Sequence, residues 1–114
     1  MKSRQTYIQF LELTKLLEKT TTLPLLEPVE KRMLEVITMA NYKNERLSVK
    51  DMMNISEISA PATMHKNIHA LVDKGWIFLE ETEDTRRKQL QLTKEALKYF
   101  DKLGLAIQKS TKSY

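Results

Sequence analysis

Residues 48–93 carry the order that most narrows what this chain can fold into: two short helical stretches, a glycine, then two alternating runs meeting at a charged tip. Ser48 with Asp51 three residues on has the spacing of a capping box, in which hydroxyl and carboxylate each take a backbone amide, and Val49, Met52 and Met53 follow it. Residues 54–57 carry this helix toward a turn. Ser59 is placed to cap a second helix whose first turn accommodates Pro61 and whose inner face, Met64, Ile68 and Leu71, recurs at spacings of four and three. Gly75 marks its end, since glycine enters the left-handed region without steric cost, and Lys74 suits the negative end of the helix dipole.

Trp76, Ile77, Phe78 and Leu79 supply β-branched and aromatic residues for a strand, and Lys88-Gln89-Leu90-Gln91-Leu92 alternates as a half-buried return strand should. The tip between them reads Glu83-Asp84-Thr85-Arg86-Arg87-Lys88. Ahead of this core, residues 4–20 hold Tyr7, Ile8, Phe10, Leu11, Leu13, Leu16 and Leu17, a helical stripe wider than one core contact requires, so part of it is expected to face a second subunit. Three threonines and Pro24 break that helix, and another opens at Glu27-Pro28 and runs to about Tyr42 on Val29, Met33, Val36, Ile37 and Ala40. Thr93 caps a last helix over residues 93–109, with Ala96, Phe100, Leu103 and Ile107 as its stripe and Gly104 a weak point. The predicted fold is mainly α with a small β-hairpin: a winged helix-turn-helix over residues 26–93 with flanking N- and C-terminal helices, one domain spanning residues 1–114.

Absences in the sequence exclude whole classes of function. No run of eighteen apolar residues occurs and Met1-Lys2-Ser3-Arg4 leads into a polar-studded helix, so neither a membrane span nor a signal peptide is expected, and the predicted location is cytoplasmic. Without cysteine there is no thiol redox chemistry and no cysteine zinc site. A nucleophile elbow and a glycine-rich phosphate loop are also missing, so an enzyme is not expected. The net charge of +4 is unevenly placed: residues 86–114 hold eight Lys or Arg against two acids, while residues 76–85 hold four acids and no base. A basic stretch beside a helix pair of this kind is the footprint of phosphate binding.

Reading a major groove needs short donors and acceptors near the start of an exposed helix, and Thr63, His65, Lys66 and His69, with Ala62 at the edge, lie opposite the apolar face. Double-stranded DNA is therefore the predicted partner. At the hairpin tip Arg86 suits a narrow minor groove, Asp84 is placed to orient it, and Arg87 and Lys88 suit phosphates. His65 and His69 also have the i, i+4 spacing of a shared metal ion, yet no third ligand follows at ligand spacing, so neither metal nor cofactor is expected. Tyr7, Phe10, Trp76, Phe78 and Phe100 are read as packing, and Met33, Met39, Met52, Met53 and Met64 as adaptable filler between helices.

Three segments carry a family resemblance: Leu47-Ser48-Val49-Lys50-Asp51-Met52; Pro61-Ala62-Thr63-Met64 continuing to Leu71-Val72-Asp73-Lys74-Gly75-Trp76-Ile77; and Asp84-Thr85-Arg86 continuing to Leu90-Gln91-Leu92-Thr93. In these the chain resembles the multiple-antibiotic-resistance regulator (MarR) family of bacterial transcription regulators. The resemblance implies a wing arginine in the minor groove at Arg86, with Asp84 beside it, and base reading by Thr63, His65, Lys66 and His69. It also implies a homodimer joined through the terminal helices, which assigns Tyr7, Phe10, Leu11, Leu17, Phe100, Leu103 and Ile107 to the dimer contact, and the family's small-molecule pocket between those helices and the DNA-binding lobe, although the sequence carries no chemical sign of an effector. The expected function is thus a homodimeric transcription regulator, a repressor, on a pseudo-palindromic operator. Two alternatives stand beside it: a replication or maintenance factor of a mobile element, and a winged helix used as a protein-interaction module, which the acidic run Glu80, Glu81, Glu83 and Asp84 would suit.

Overall fold

In the computed structural model the chain forms α1 (Lys2–Thr20), α2 (Pro28–Tyr42), α3 (Val49–Met53), α4 (Pro61–Asp73), β1 (Ile77–Glu80), β2 (Gln89–Leu92) and α5 (Lys94–Lys112). Residues 2–55, 57–83 and 87–112 are described. The protein is mainly helical with a two-stranded antiparallel hairpin, in the element order of a winged helix-turn-helix flanked by helices. It divides into two compact units, Leu23–Thr93 and the pair Met1–Thr22 with Lys94–Tyr114. Among the described residues no helix is long and apolar enough to cross a membrane.

Within Leu23–Thr93 the core is built where the predicted stripes meet. Met33, Ile37, Met52, Met64, Ile68, Leu71, Ile77 and Leu90 are almost fully buried, drawn from α2, α3, α4 and both strands. The predicted filler role holds for Met33, Met52 and Met64, but Met39 is 56% exposed, because it falls on the outer side of α2. Strand periodicity separates the aromatics in the same way. Ile77 is buried opposite Leu92, while Phe78, opposite Gln91, turns outward and is 45% exposed instead of packed. Trp76 is buried and its Nε1 donates to Pro24 O at 2.9 Å.

The capping box is present as read: Asp51 N donates to Ser48 Oγ at 3.1 Å and Ser48 N to Asp51 Oδ2 at 3.0 Å. A cap of this kind contributes about 1 kcal/mol. The helix it starts does not reach toward Glu57. It ends at Met53, where Asn54 N bonds to Asp51 O and Ile55 N to Met52 O, three residues back, tightening the last turn. At α4 the N-cap is Ala60, not Ser59, with no side-chain cap hydrogen bond. Pro61 occupies the first helical position and forces the residue before it into extended backbone, so Ser59 sits one residue too early for its hydroxyl to act as the cap.

The end of α4 follows the sequence closely. Gly75 has φ +83, Gly75 N donates to Val72 O and Trp76 N to Leu71 O, the paired bonds of a Schellman motif. Lys74 does more than face a dipole: its ammonium meets the buried carboxylate of Glu30 at 2.6 Å. The strands are each one residue later in start than predicted, and β2 finds partners on its second edge too. Leu90 N donates to Leu47 O, Val49 N to Lys88 O, and the Asn41 side chain of α2 accepts from Leu92 N and donates to Leu90 O. These bonds satisfy backbone groups that an isolated hairpin would leave to water.

In the second unit α1 lies against α5 and has no buried residue, while α5 buries Ala96, Ala106 and Ser110. Ser110 is satisfied by donating its hydroxyl to Ala106 O at 2.8 Å. The helix runs on past Gln108 to Lys112 and through Gly104 without interruption. Burial, with Glu18 nearby, raises the Tyr99 phenol above its ordinary value.

Candidate nucleic-acid interface

Thirteen residues of α4 divide cleanly into two faces. Met64, Ile68 and Leu71 are buried, and Ala62, Thr63, His65, Lys66 and His69 are all exposed, as the spacing predicts. The His65 and His69 rings lie one turn apart and edge to face, with centroids 4.5 Å apart. The result is a short ledge of hydroxyl, imidazole and ammonium groups over the first turns of a helix, the place from which side chains reach base edges. With no side chain capping it, the helix start also presents amides and the positive end of its dipole.

What holds this helix pair in place was only partly visible in the sequence. Arg32 of α2 donates from Nη2 to Glu57 O at 3.1 Å, which ties the scaffold helix to the turn between α3 and α4. Nothing in the spacing of Arg32 and Glu57 announces that bond, because it joins residues 25 apart across the unit.

At the hairpin, Asp84 and Arg86 lie outside the described residues. Arg87 and Lys88 are exposed, and acids accompany both. Lys88 Nζ is 3.6 Å from Glu81 Oε1, and Arg87 acts on the charge of Asp51. The Lys88 pair is exposed on both sides and contributes at most about 1 kcal/mol, so the ammonium can be drawn to a phosphate. Between the hairpin and the start of α3 is an open concavity of about 620 Å³, lined by Arg46, Asp51, Glu80, Glu81, Glu83 and Arg87 among others. Four acids against two bases make it a poor seat for phosphate.

Asp51 is held below its ordinary carboxylate value, chiefly by the hydrogen bond from the Ser48 amide, with burial opposing and the Ser48 hydroxyl, Arg87 and Lys50 adding to the lowering. A depressed folded value means that the cap contributes above the unfolded value of 3.8 and is lost as pH falls through the folded one. Asp51→Asn is therefore expected to lower stability near neutrality and to flatten the loss of stability as pH falls below the unfolded value of 3.8, read by urea melts at neutral and acid pH. Equal acid slopes for the two proteins would remove Asp51 from the cap.

The residues assigned to a dimer contact are solvent-accessible to different degrees: Tyr7 is 59% exposed, Leu11 and Ile107 are exposed, and Phe10, Leu17, Phe100 and Leu103 are half-buried. Tyr7 is thus not core packing within the chain. The half-buried stripe of α1 runs instead through Phe10, Leu13, Thr14 and Leu17.

No protein-family model matches the chain, and no curated protein does. Among solved structures, a chain from Bacillus cereus described as a MarR-like transcription regulator aligns over 96% of this chain and 79% of its own length, with 18% sequence identity and a TM-score of 0.45.

Proposed function

We propose that the protein is a sequence-specific double-stranded DNA-binding transcription regulator that acts as a homodimeric repressor on a pseudo-palindromic operator. One observation carries the reading: α4 turns Ala62, Thr63, His65, Lys66 and His69 to solvent while its opposite face is sealed into the core. The likeness of the three sequence segments to the MarR regulators supports it and adds Arg86, with Asp84, as a minor-groove contact and Arg87 and Lys88 as phosphate contacts.

Dimerisation is supported by the apolar surface of the terminal helices, where Tyr7, Ile8, Leu11, Leu16, Leu97, Leu105 and Ile107 are exposed. Twofold symmetry would set two reader helices about 34–36 Å apart, one helical turn of DNA. Repression is the sign proposed because a dimer whose operator overlaps a promoter excludes polymerase.

Gel shifts over genomic fragments, with sedimentation of the complex, test the proposal. Two chains per operator are expected, with log affinity falling linearly against log salt at a slope of about −0.9 for each phosphate neutralised. Arg86→Ala should weaken operator binding by about tenfold or more, the discrimination a good groove contact carries. Absence of a preferred duplex at low salt would overturn the reading, and unchanged affinity in the variant would remove the wing from it.

A further inference from the structure

The exit of α4 is fastened from several directions. Lys74 Nζ lies 2.6 Å from Glu30 Oε1 and 3.3 Å from Leu25 O. Glu30 is 2% exposed, and the same Oε1 accepts from the Glu27 amide at 2.7 Å. Trp76 Nε1 reaches Pro24 O, the Thr93 hydroxyl donates to Gly75 O at 2.7 Å, and Leu23 lies against Gly75. The helix body meets its neighbours through Met64, Ile68 and Leu71, close-packed apolar contacts that anchor it, and the polar bonds at its exit add a directional constraint to that anchor.

Charge placement makes Glu30 a fixed post. It stands in the first turn of α2, where the helix dipole favours a carboxylate, and Lys74 stands at the C-cap of α4, where the dipole favours a cation. The Glu30 carboxylate is buried while the Lys74 side chain stays 27% exposed, and such a pair adds little net stability compared with two apolar side chains of similar volume, so stability alone is a weak reason for one here. Hydrogen bonds to charged groups are sensitive to angle and distance, and two of them at one ammonium define a direction.

We infer that the Glu30–Lys74 pair is a positioning device for the reader face: it sets the direction of α4 from its C-terminal pivot and so where Thr63, His65, Lys66 and His69 arrive. The inference rests on the DNA-binding reading above. Thr63 is eleven residues from Lys74, so at 1.5 Å per residue a 10° swing at the pivot moves it by about 3 Å. The hydrogen-bond window to a base edge is only about 0.5 Å wide, so such a swing ends the contact. Phosphate contacts made by flexible side chains tolerate it, because they need charge nearby and not a fixed angle.

The test compares wild type with Glu30→Met/Lys74→Met, a double change that leaves no buried charge unpaired. The double variant is expected to keep its melting temperature, to bind the operator about tenfold or more weakly, the discrimination carried by one good base contact, and to bind unrelated duplex as before. A folded variant with the wild-type ratio of operator to unrelated binding overturns the inference. Should the double variant fail to fold, Lys74→Arg serves: it keeps Glu30 paired but meets it with a longer, planar guanidinium, so the ratio should fall part-way, and a wild-type ratio again overturns the proposal. Residual dipolar couplings on the free proteins read the angle between α2 and α4 without DNA. If wild type prefers no duplex, the DNA reading fails by itself, and this angle still decides: a changed angle supports positioning, an unchanged one ends it.

Discussion

Thr63→Ala, His65→Ala, Lys66→Ala and His69→Ala combined in one protein are expected to leave a folded chain that binds its operator no better than unrelated DNA. All four side chains are exposed, so their loss removes no core contact, and alanine is the strongest helix former, so melting should be unchanged or slightly higher. The specific-binding gap for proteins of this kind is about 4–10 kcal/mol, and individual base contacts contribute about 1–3 kcal/mol each, so four such contacts are of the size needed to close it. Loss of Lys66 should also lower the salt slope by about 1 if that ammonium sits on a phosphate. Competition gel shifts with operator and scrambled duplex measure the ratio. Retained discrimination would move the reading surface off α4 altogether.

Ile68→Ala, on the same helix, should do the opposite. Ile68 is 1% exposed, and removing a buried isoleucine side chain costs about 2–5 kcal/mol in lost burial and cavity formation. Against a total stability of about 5–15 kcal/mol that is a large share, corresponding to a fall in melting temperature of roughly 10–20 °C for a domain of this size. Circular dichroism melts check it, and a fall under about 3 °C would mean that α4 is not anchored where its apolar stripe lies. Two positions apart on one helix, Lys66 and Ile68 thus separate binding from folding.

That separation was readable before any coordinates. The spacing of Met64, Ile68 and Leu71 assigns one face of α4 to the interior and leaves the polar face outside, because a 3.6-residue period permits no other division. Capping chemistry was equally plain at Ser48 and Asp51 and at Gly75, where the residue types match the backbone conformations they must adopt. Ser59 shows the limit of such reading: cap preference and proline geometry pointed to neighbouring residues, and the ring constraint at Pro61 prevailed. Phe78, Tyr7 and Met39 mark another limit. Hydrophobic character predicts burial on average, but which side of a strand or helix meets a neighbour depends on where that neighbour is.

Local pattern therefore determined the elements, their ends, the two faces of α4 and the candidate reading residues, since each depends on interactions within a few positions of chain. Tertiary structure alone decided which distant groups meet: Glu30 with Lys74, Arg32 with Glu57 O, Asn41 with the edge of β2, and Arg87 beside Asp51. Those partners are 25 to 51 residues apart, the through-space influence of Arg87 on Asp51 included. Sequence spacing carries no information about such pairs, because they exist only after the apolar faces have packed and brought their helices and strands together.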